Sequence, residues 1–167
     1  YVPCLRTDTL VFQFHQPNTR QRLAACTGIE AEDAVRVRRA FLTLMERFVN
    51  RGAKACAISL PPQFVPAPLS DAELDNALRR ADSAALAPAL FWLLAECCRT
   101  FQLPFDLMIG VQRRVYRHGV FQGQDLFDQR TSLIQYQELF NAFPEVLFPI
   151  SVLTSNQNQE LVAYSWI

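Results

Sequence analysis

Lysine is almost missing from this chain: of its sixteen basic residues fifteen are arginine and only Lys54 is lysine. Sixteen Asp and Glu balance them, so the net charge is zero and there is no general electrostatic pull toward nucleic acid or an anionic membrane. An anion must therefore be recognised locally. The arginine fork suits a carboxylate, although genome composition produces the same bias. Glycine is sparse as well: the five glycines form neither G-x-G-x-x-G nor a phosphate loop with its lysine, which removes the main support for a nucleotide-binding sheet. There is no G-x-S-x-G elbow for a serine nucleophile. His15 and His118 are the only histidines, and neither has a second ligand at metal spacing. The five cysteines, Cys4, Cys26, Cys56, Cys97 and Cys98, are odd in number and show no C-x-x-C, so they read as reduced thiols of a cytoplasmic protein. No signal-like start is present, and the most apolar segment, Ala84 to Cys98, reads as too short to span a bilayer and carries Glu96.

What is there is apolar: half of 167 residues, enough to bury the core of one domain. Residues 1 to 5 read as a strand running into Arg6, Thr7 and Asp8. Thr27 and Glu30 fit a capping box, which predicts a helix through Val37, Phe41, Leu44, Met45 and Phe48 until Gly52 stops it. Ala53 to Leu60 is a second strand of the fully buried kind, closed by Pro61 and Pro62. Ser70 and Glu73 form another capping box for a helix over 71–80, and a longer helix follows at about 84–100. The third strand, Phe105 to Val111, is interrupted only by Asp106 and ends in Gln112, Arg113 and Arg114. A long irregular loop, 117–130, precedes a helix capped by Thr131 or Ser132. Val146 to Leu153 is a fourth strand, irregular at Pro149, and Ser155 or Asn156 caps the last helix.

Strand and helix alternating four times predict an α/β fold with a parallel sheet and right-handed crossovers. A doubly wound sheet and half of a (β/α)8 barrel both fit; without a nucleotide fingerprint the partial barrel is favoured. Tyr1 starts inside a strand-like stretch and Ile167 stops within a helical pattern, so 1–167 reads as one barrel segment of a longer chain.

Ligands of parallel α/β proteins gather beyond the carboxyl ends of the strands. That rule singles out Arg6 with Asp8, and Arg113 with Arg114, as groups for an anionic ligand such as a carboxylate. An Arg to Asp bridge joining two loops is an equally good account of them. Gln124 and Asp125 suit sugar hydroxyls, though a solvated loop carboxylate is the plainer reading. The basic cluster from Arg113 to His118 lacks the wider field that nucleic acid needs.

Five stretches in order resemble one family. Pro3-Cys4-Leu5-Arg6-Thr7-Asp8 is similar to P-S-W-R-P-D at the end of a third barrel strand, with Arg6 and Asp8 in place. Ala53 to Ser59 stands where that family has C-R-A-S-D-H-G, and the proline-rich loop that follows is alike. Leu107 to Arg113 resembles L-H-I-G-A-x-R, and Asn158-Gln159-Glu160 matches its N-x-E. The family is uronate (glucuronate) isomerase, of the amidohydrolase superfamily of (β/α)8 barrels. The resemblance implies strands three to six of such a barrel, and an aldose to ketose interconversion of hexuronates: glucuronate to fructuronate, or galacturonate to tagaturonate. It also implies a cytoplasmic enzyme of carbohydrate catabolism with a small sugar acid as partner, possible self-association, and a divalent metal, expected to be zinc, whose ligands lie outside this segment. Arg6 would sit near the substrate carboxylate and Arg113 would be a second contact. Where the family has Asp, His and His, this chain has Ala57, Ile58 and Met108. Rival readings are a metal-dependent hydrolase of the same superfamily and a catalytically silent uronate binder.

Overall fold

Four short apolar runs pair in the order in which they occur. The computed structural model describes residues 3–112 and 131–165. Within them β1 (Cys4–Arg6), β2 (Ala55–Leu60), β3 (Phe105–Ile109) and β4 (Ile150–Val152) form one sheet, ordered β1-β2-β3-β4, with all three pairings parallel. A doubly wound sheet reverses its strand order at a switch point; this one does not. With right-handed crossovers, an order that never reverses puts every helix on one face, as in a (β/α)8 barrel. The fold is therefore the partial barrel expected.

Register assigns the faces. Leu5, Cys56, Ile58, Leu60, Phe105, Leu107 and Ile109 lie buried beneath the helices. Alternation places Cys4, Arg6, Ala57, Ser59, Asp106, Met108 and Ser151 on the opposite face.

Between β1 and β2 the chain makes α1 (Asp8–Phe12), α2 (Pro17–Thr27) and α3 (Ala34–Asn50), where the sequence suggested a single helix. Pro17 opens α2, as the first helical position allows. The Thr27 box is not a start. Thr27 ends α2, its hydroxyl donating to the Leu23 carbonyl at 2.8 Å, and Gly28 turns the chain at φ 76°. Asp33 caps α3 instead, accepting from Arg36 N at 2.8 Å.

The Ser70 box holds as read. It starts α4 (Asp71–Arg80), and Asp82 then caps α5 (Ser83–Phe101). At 19 residues α5 is longer than the apolar stretch suggested, and it is long and apolar enough to cross a membrane. Here it is the central core helix, packed on α1, α3 and α4 with Leu86, Leu90, Phe91, Leu94 and Cys98 buried. Its one acid, Glu96, accepts from Arg38 at 2.7 Å, and the same arginine reaches Asp71 at 3.1 Å, tying α3, α4 and α5. Rings carry the packing down to the sheet. Phe12 meets Phe64 at 5.6 Å, Phe64 meets Phe91 at 5.3 Å, and Phe91 stacks on Phe105 of β3 at 5.1 Å.

The helix expected after residue 131 begins as a 3-10 turn, Leu133–Tyr136, and continues as α6 (Gln137–Ala142). β4 is shorter than expected, yet the Leu147 and Pro149 carbonyls already accept from Phe105 N and Leu107 N at 2.9 and 2.8 Å. Proline costs β4 regularity without costing it alignment. Thr154, rather than Ser155 or Asn156, caps α7 (Ser155–Tyr164), whose Tyr164 packs on Phe140.

All five thiols are free, and Cys56, Cys97 and Cys98 are buried. Burial, helped by the Glu96 charge, pushes the Cys97 thiol up to about 12, so it stays protonated and inert.

Two outcomes follow. Phe91→Ala removes the ring shared by α5 and β3 and is expected to lower unfolding free energy by about 3–5 kcal/mol in urea titration. In the Ser70 box the hydroxyl and then the backbone N–H of Ser70 donate to Glu73 at 2.6 and 2.9 Å, holding its carboxyl below the usual range. A depressed folded-state value stabilises above the unfolded pKa, and that contribution fades as pH falls through the folded one. The stability gap between wild type and Glu73→Gln should therefore close in acid; a gap independent of pH would contradict it.

Candidate functional site

At the carboxyl end of β1 the chain leaves the sheet and enters α1 within two residues, which sets Arg6 and Asp8 side by side. Thr7 between them is fully buried, its N–H and its hydroxyl donating to the Ala57 carbonyl at 3.0 and 3.2 Å. This clamps the β1 exit to β2. Arg6 Nε and Nη2 then donate to Asp8 Oδ2 and Oδ1, both at 3.1 Å, a two-pronged pair. Nη2 also donates to Ser59 Oγ at 2.9 Å, and Ser59 N donates to Asp8 Oδ1 at 3.1 Å.

The result is a closed ring of four hydrogen bonds joining the ends of β1 and β2. The Arg6–Asp8 pair, one of the two readings, is present: it lies within the β1 exit and reaches the end of β2 through Ser59. The Arg6 side chain is 53% exposed and that of Asp8 31%. Nη1 of Arg6 makes no hydrogen bond among the described residues, so donors remain for an arriving anion.

Ser59 was not a candidate on sequence. Its signal is positional: it lies two residues beyond Ala57 on the same face and opposite Met108, which only the strand register reveals. Ile58 is 1% exposed within the core, so an imidazole there would have to lie beneath the helices. The opposite face of β2 offers Ala57 and Ser59 instead, both buried, and that of β3 the half-buried Asp106 and Met108. Arg113, Arg114, Gln124 and Asp125 lie outside the described residues, as does His118. His15 falls in the turn between α1 and α2, away from β1's exit in sequence. Among the described residues no group of three or more His, Cys, Asp or Glu could hold a metal ion. These residues alone do not fit the divalent metal that the resemblance implies.

If the bond from Ser59 N matters more than the charge pair, Asp8→Ala should cost about 1–3 kcal/mol in urea unfolding. Asp8→Asn, which keeps an acceptor, should recover most of that. Equal losses in the two variants would assign the stability to the ion pair.

No protein-family model matches the sequence, and no curated protein matches it. Solved structures do. A uronate isomerase from Thermotoga maritima superposes with a TM-score of 0.83 at 14% identity, covering 98% of this chain and 40% of that one. A glucuronate isomerase from Caulobacter crescentus gives 0.77 at 18%, covering 91% and 35%. A uronate isomerase from Bacillus halodurans gives 0.73 at 22%, covering 98% and 35%. The chain thus spans well under half the length of these structures, and over nearly all of its own length it has the fold of the corresponding part of a uronate isomerase.

Proposed function

We propose that this chain is the Arg6-bearing segment of a uronate isomerase-like enzyme that interconverts aldose and ketose forms of a hexuronate. The observation that carries the reading is the Arg6, Asp8 and Ser59 ring at the carboxyl end of the sheet, in a fold shared with solved uronate and glucuronate isomerases. In the reaction a proton moves between adjacent sugar carbons while the carbonyl shifts from one to the other. Arg6 supplies what such a substrate needs at its far end, a guanidinium held in one orientation by Asp8 and able to donate to a carboxylate. Preorganising that fork lowers the entropy lost on binding. Ala57 and Ser59 set small side chains in the same row. Arg113, Arg114, Gln124 and Asp125 remain candidates for further contacts. The ligands of the family's divalent metal would come from residues elsewhere in a longer chain.

Met108 and Ala57 on the open face favour a second reading, a hexuronate binder without turnover. A thioether and a methyl group cannot transfer a proton. Free thiols, three of them buried, agree with a reducing compartment, and we place the protein in the cytoplasm, within the amidohydrolase superfamily.

The test is NMR of the metal-loaded full-length protein incubated with glucuronate or galacturonate. Fructuronate or tagaturonate should appear, and Arg6→Ala should weaken substrate binding by about tenfold to a hundredfold, on the scale of a charge-assisted hydrogen bond. Saturable binding without a new sugar would establish the silent binder. Neither binding nor conversion would end both readings.

A further inference from the structure

Two buried polar side chains with unmatched atoms stand together at the ends of β3 and β4. Gly110 closes β3 at φ 86°, and the position a Cβ would occupy lies 3.4 Å from Thr131 Oγ1 and 3.7 Å from Gln157 Nε2. Thr131 is 5% exposed and Gln157 4%. Gln157 Nε2 donates to the Thr131 carbonyl at 3.4 Å, but among the described residues Gln157 Oε1 and Thr131 Oγ1 have no partner. A third such atom, the Tyr136 hydroxyl, belongs to a ring stacked on Phe140 and is not among the atoms nearest Gly110. Buried polar atoms are nearly always matched, and each unmatched one costs about 1–3 kcal/mol. Such a cost, met twice at one place on the ligand-facing edge, marks a site that a ligand completes.

The niche is built before anything enters it. Thr154 caps α7 and so fixes Gln157 in the first turn. From the next turn Glu160 accepts from Ser132 Oγ at 3.1 Å and Leu133 N at 2.6 Å, holding the segment that carries Thr131 against α7. On the other side Gly110 N and Val111 N both donate to the Leu60 carbonyl, at 3.0 and 2.9 Å, which ties the end of β3 to β2. Among the described residues the Gln157 amide is held by one long bond, so it can turn toward an arriving group.

The chemistry of the two atoms selects the ligand. Gln157 Oε1 can only accept, whereas a threonine hydroxyl can donate. A carboxylate or phosphate would set oxygen against Oε1, and an alkyl group would leave both atoms unmatched. A neutral hydroxyl satisfies both, giving its proton to Oε1 and accepting from Oγ1. Two strand spacings, ~9.6 Å, separate β1 from β3, and Arg6 leans across that gap to Ser59. A six-carbon sugar acid can bridge the remainder.

We propose that Thr131 and Gln157, beside Gly110, form a subsite for a hydroxyl group of the sugar acid whose carboxylate Arg6 holds; this rests on the hexuronate reading above. The experiment is calorimetric titration of glucuronate into the full-length protein and into Gln157→Leu, Thr131→Val and Thr131→Ser. Gln157→Leu and Thr131→Val should each raise Kd by about tenfold, one hydrogen bond's worth. The melting temperature of Thr131→Val should not fall, because it removes only a buried unmatched group; Gln157→Leu also gives up the long bond to the Thr131 carbonyl and should fall little. Thr131→Ser, which keeps the hydroxyl, should bind as wild type does and remains informative if Thr131→Val fails to fold. Wild-type binding with Kd unchanged in both apolar variants would overturn the subsite alone, leaving a structural pocket for water. Loss of binding in Thr131→Ser would also overturn it. No binding of glucuronate or galacturonate by wild type would overturn the hexuronate reading and the subsite together.

Discussion

The stack of Phe91 on Phe105 is where the helix layer meets the sheet, and the rest of the structure depends on it. Phe105 is the first residue of β3, the strand that holds β2 on one side and β4 on the other. Phe91 lies mid-helix in α5, which packs on α1, α3 and α4. One aromatic contact thus couples both central strands to four helices, and Phe64 and Phe12 extend it to α1, directly after the Arg6 turn. Among the described residues the opposite face of the strands carries no such stack: Ala57 and Ser59 are buried there too, but small.

That division of labour explains the composition of the open face. A side chain there need not fill a core, so it can be small, as at Ala57 and Ser59, or charged, as at Arg6 and Asp106. Arg6 is affordable because its charge is met twice, by Asp8 and by Ser59, while over half of it stays in water. An exposed pair contributes little to stability. What it supplies is direction: a guanidinium with two of its nitrogens occupied has few orientations left, and its remaining donors face one way.

Much of this was legible in the chain because it is local. The Ser70 box, the Arg6 and Asp8 spacing and the apolar runs are all patterns within a few residues; the box and the pair appear in the structure, and each run overlaps a strand shorter than itself. The Thr27 box failed for an instructive reason. A threonine three residues before a glutamate caps a helix only if the chain is extended at the threonine; here α2 arrives from Pro17, and Thr27 is spent on the Leu23 carbonyl. Ser59 and Gln157 were invisible for another reason. Ser59 matters through Arg6, fifty-three residues away, and Gln157 through Thr131, twenty-six away. No periodicity within one segment encodes a partner in another.

The same register bears on how proton transfer would be arranged. Ile58 belongs to the core row with Leu107, so no conservative repair at residue 58 would put an imidazole on the open face without moving the strand by one residue. Such a slip would exchange the two faces of β2 and put Ser59's row beneath the helices. Met108 differs: it already stands on the open face, opposite Ser59 and Ser151. Within this sheet, then, position 108 is where a titrating group could be gained or lost without disturbing the core. A proton-transferring group of this segment has to come from the open-face row or from the loops above it, and Asp106 is the one carboxylate among the described strand residues of that row.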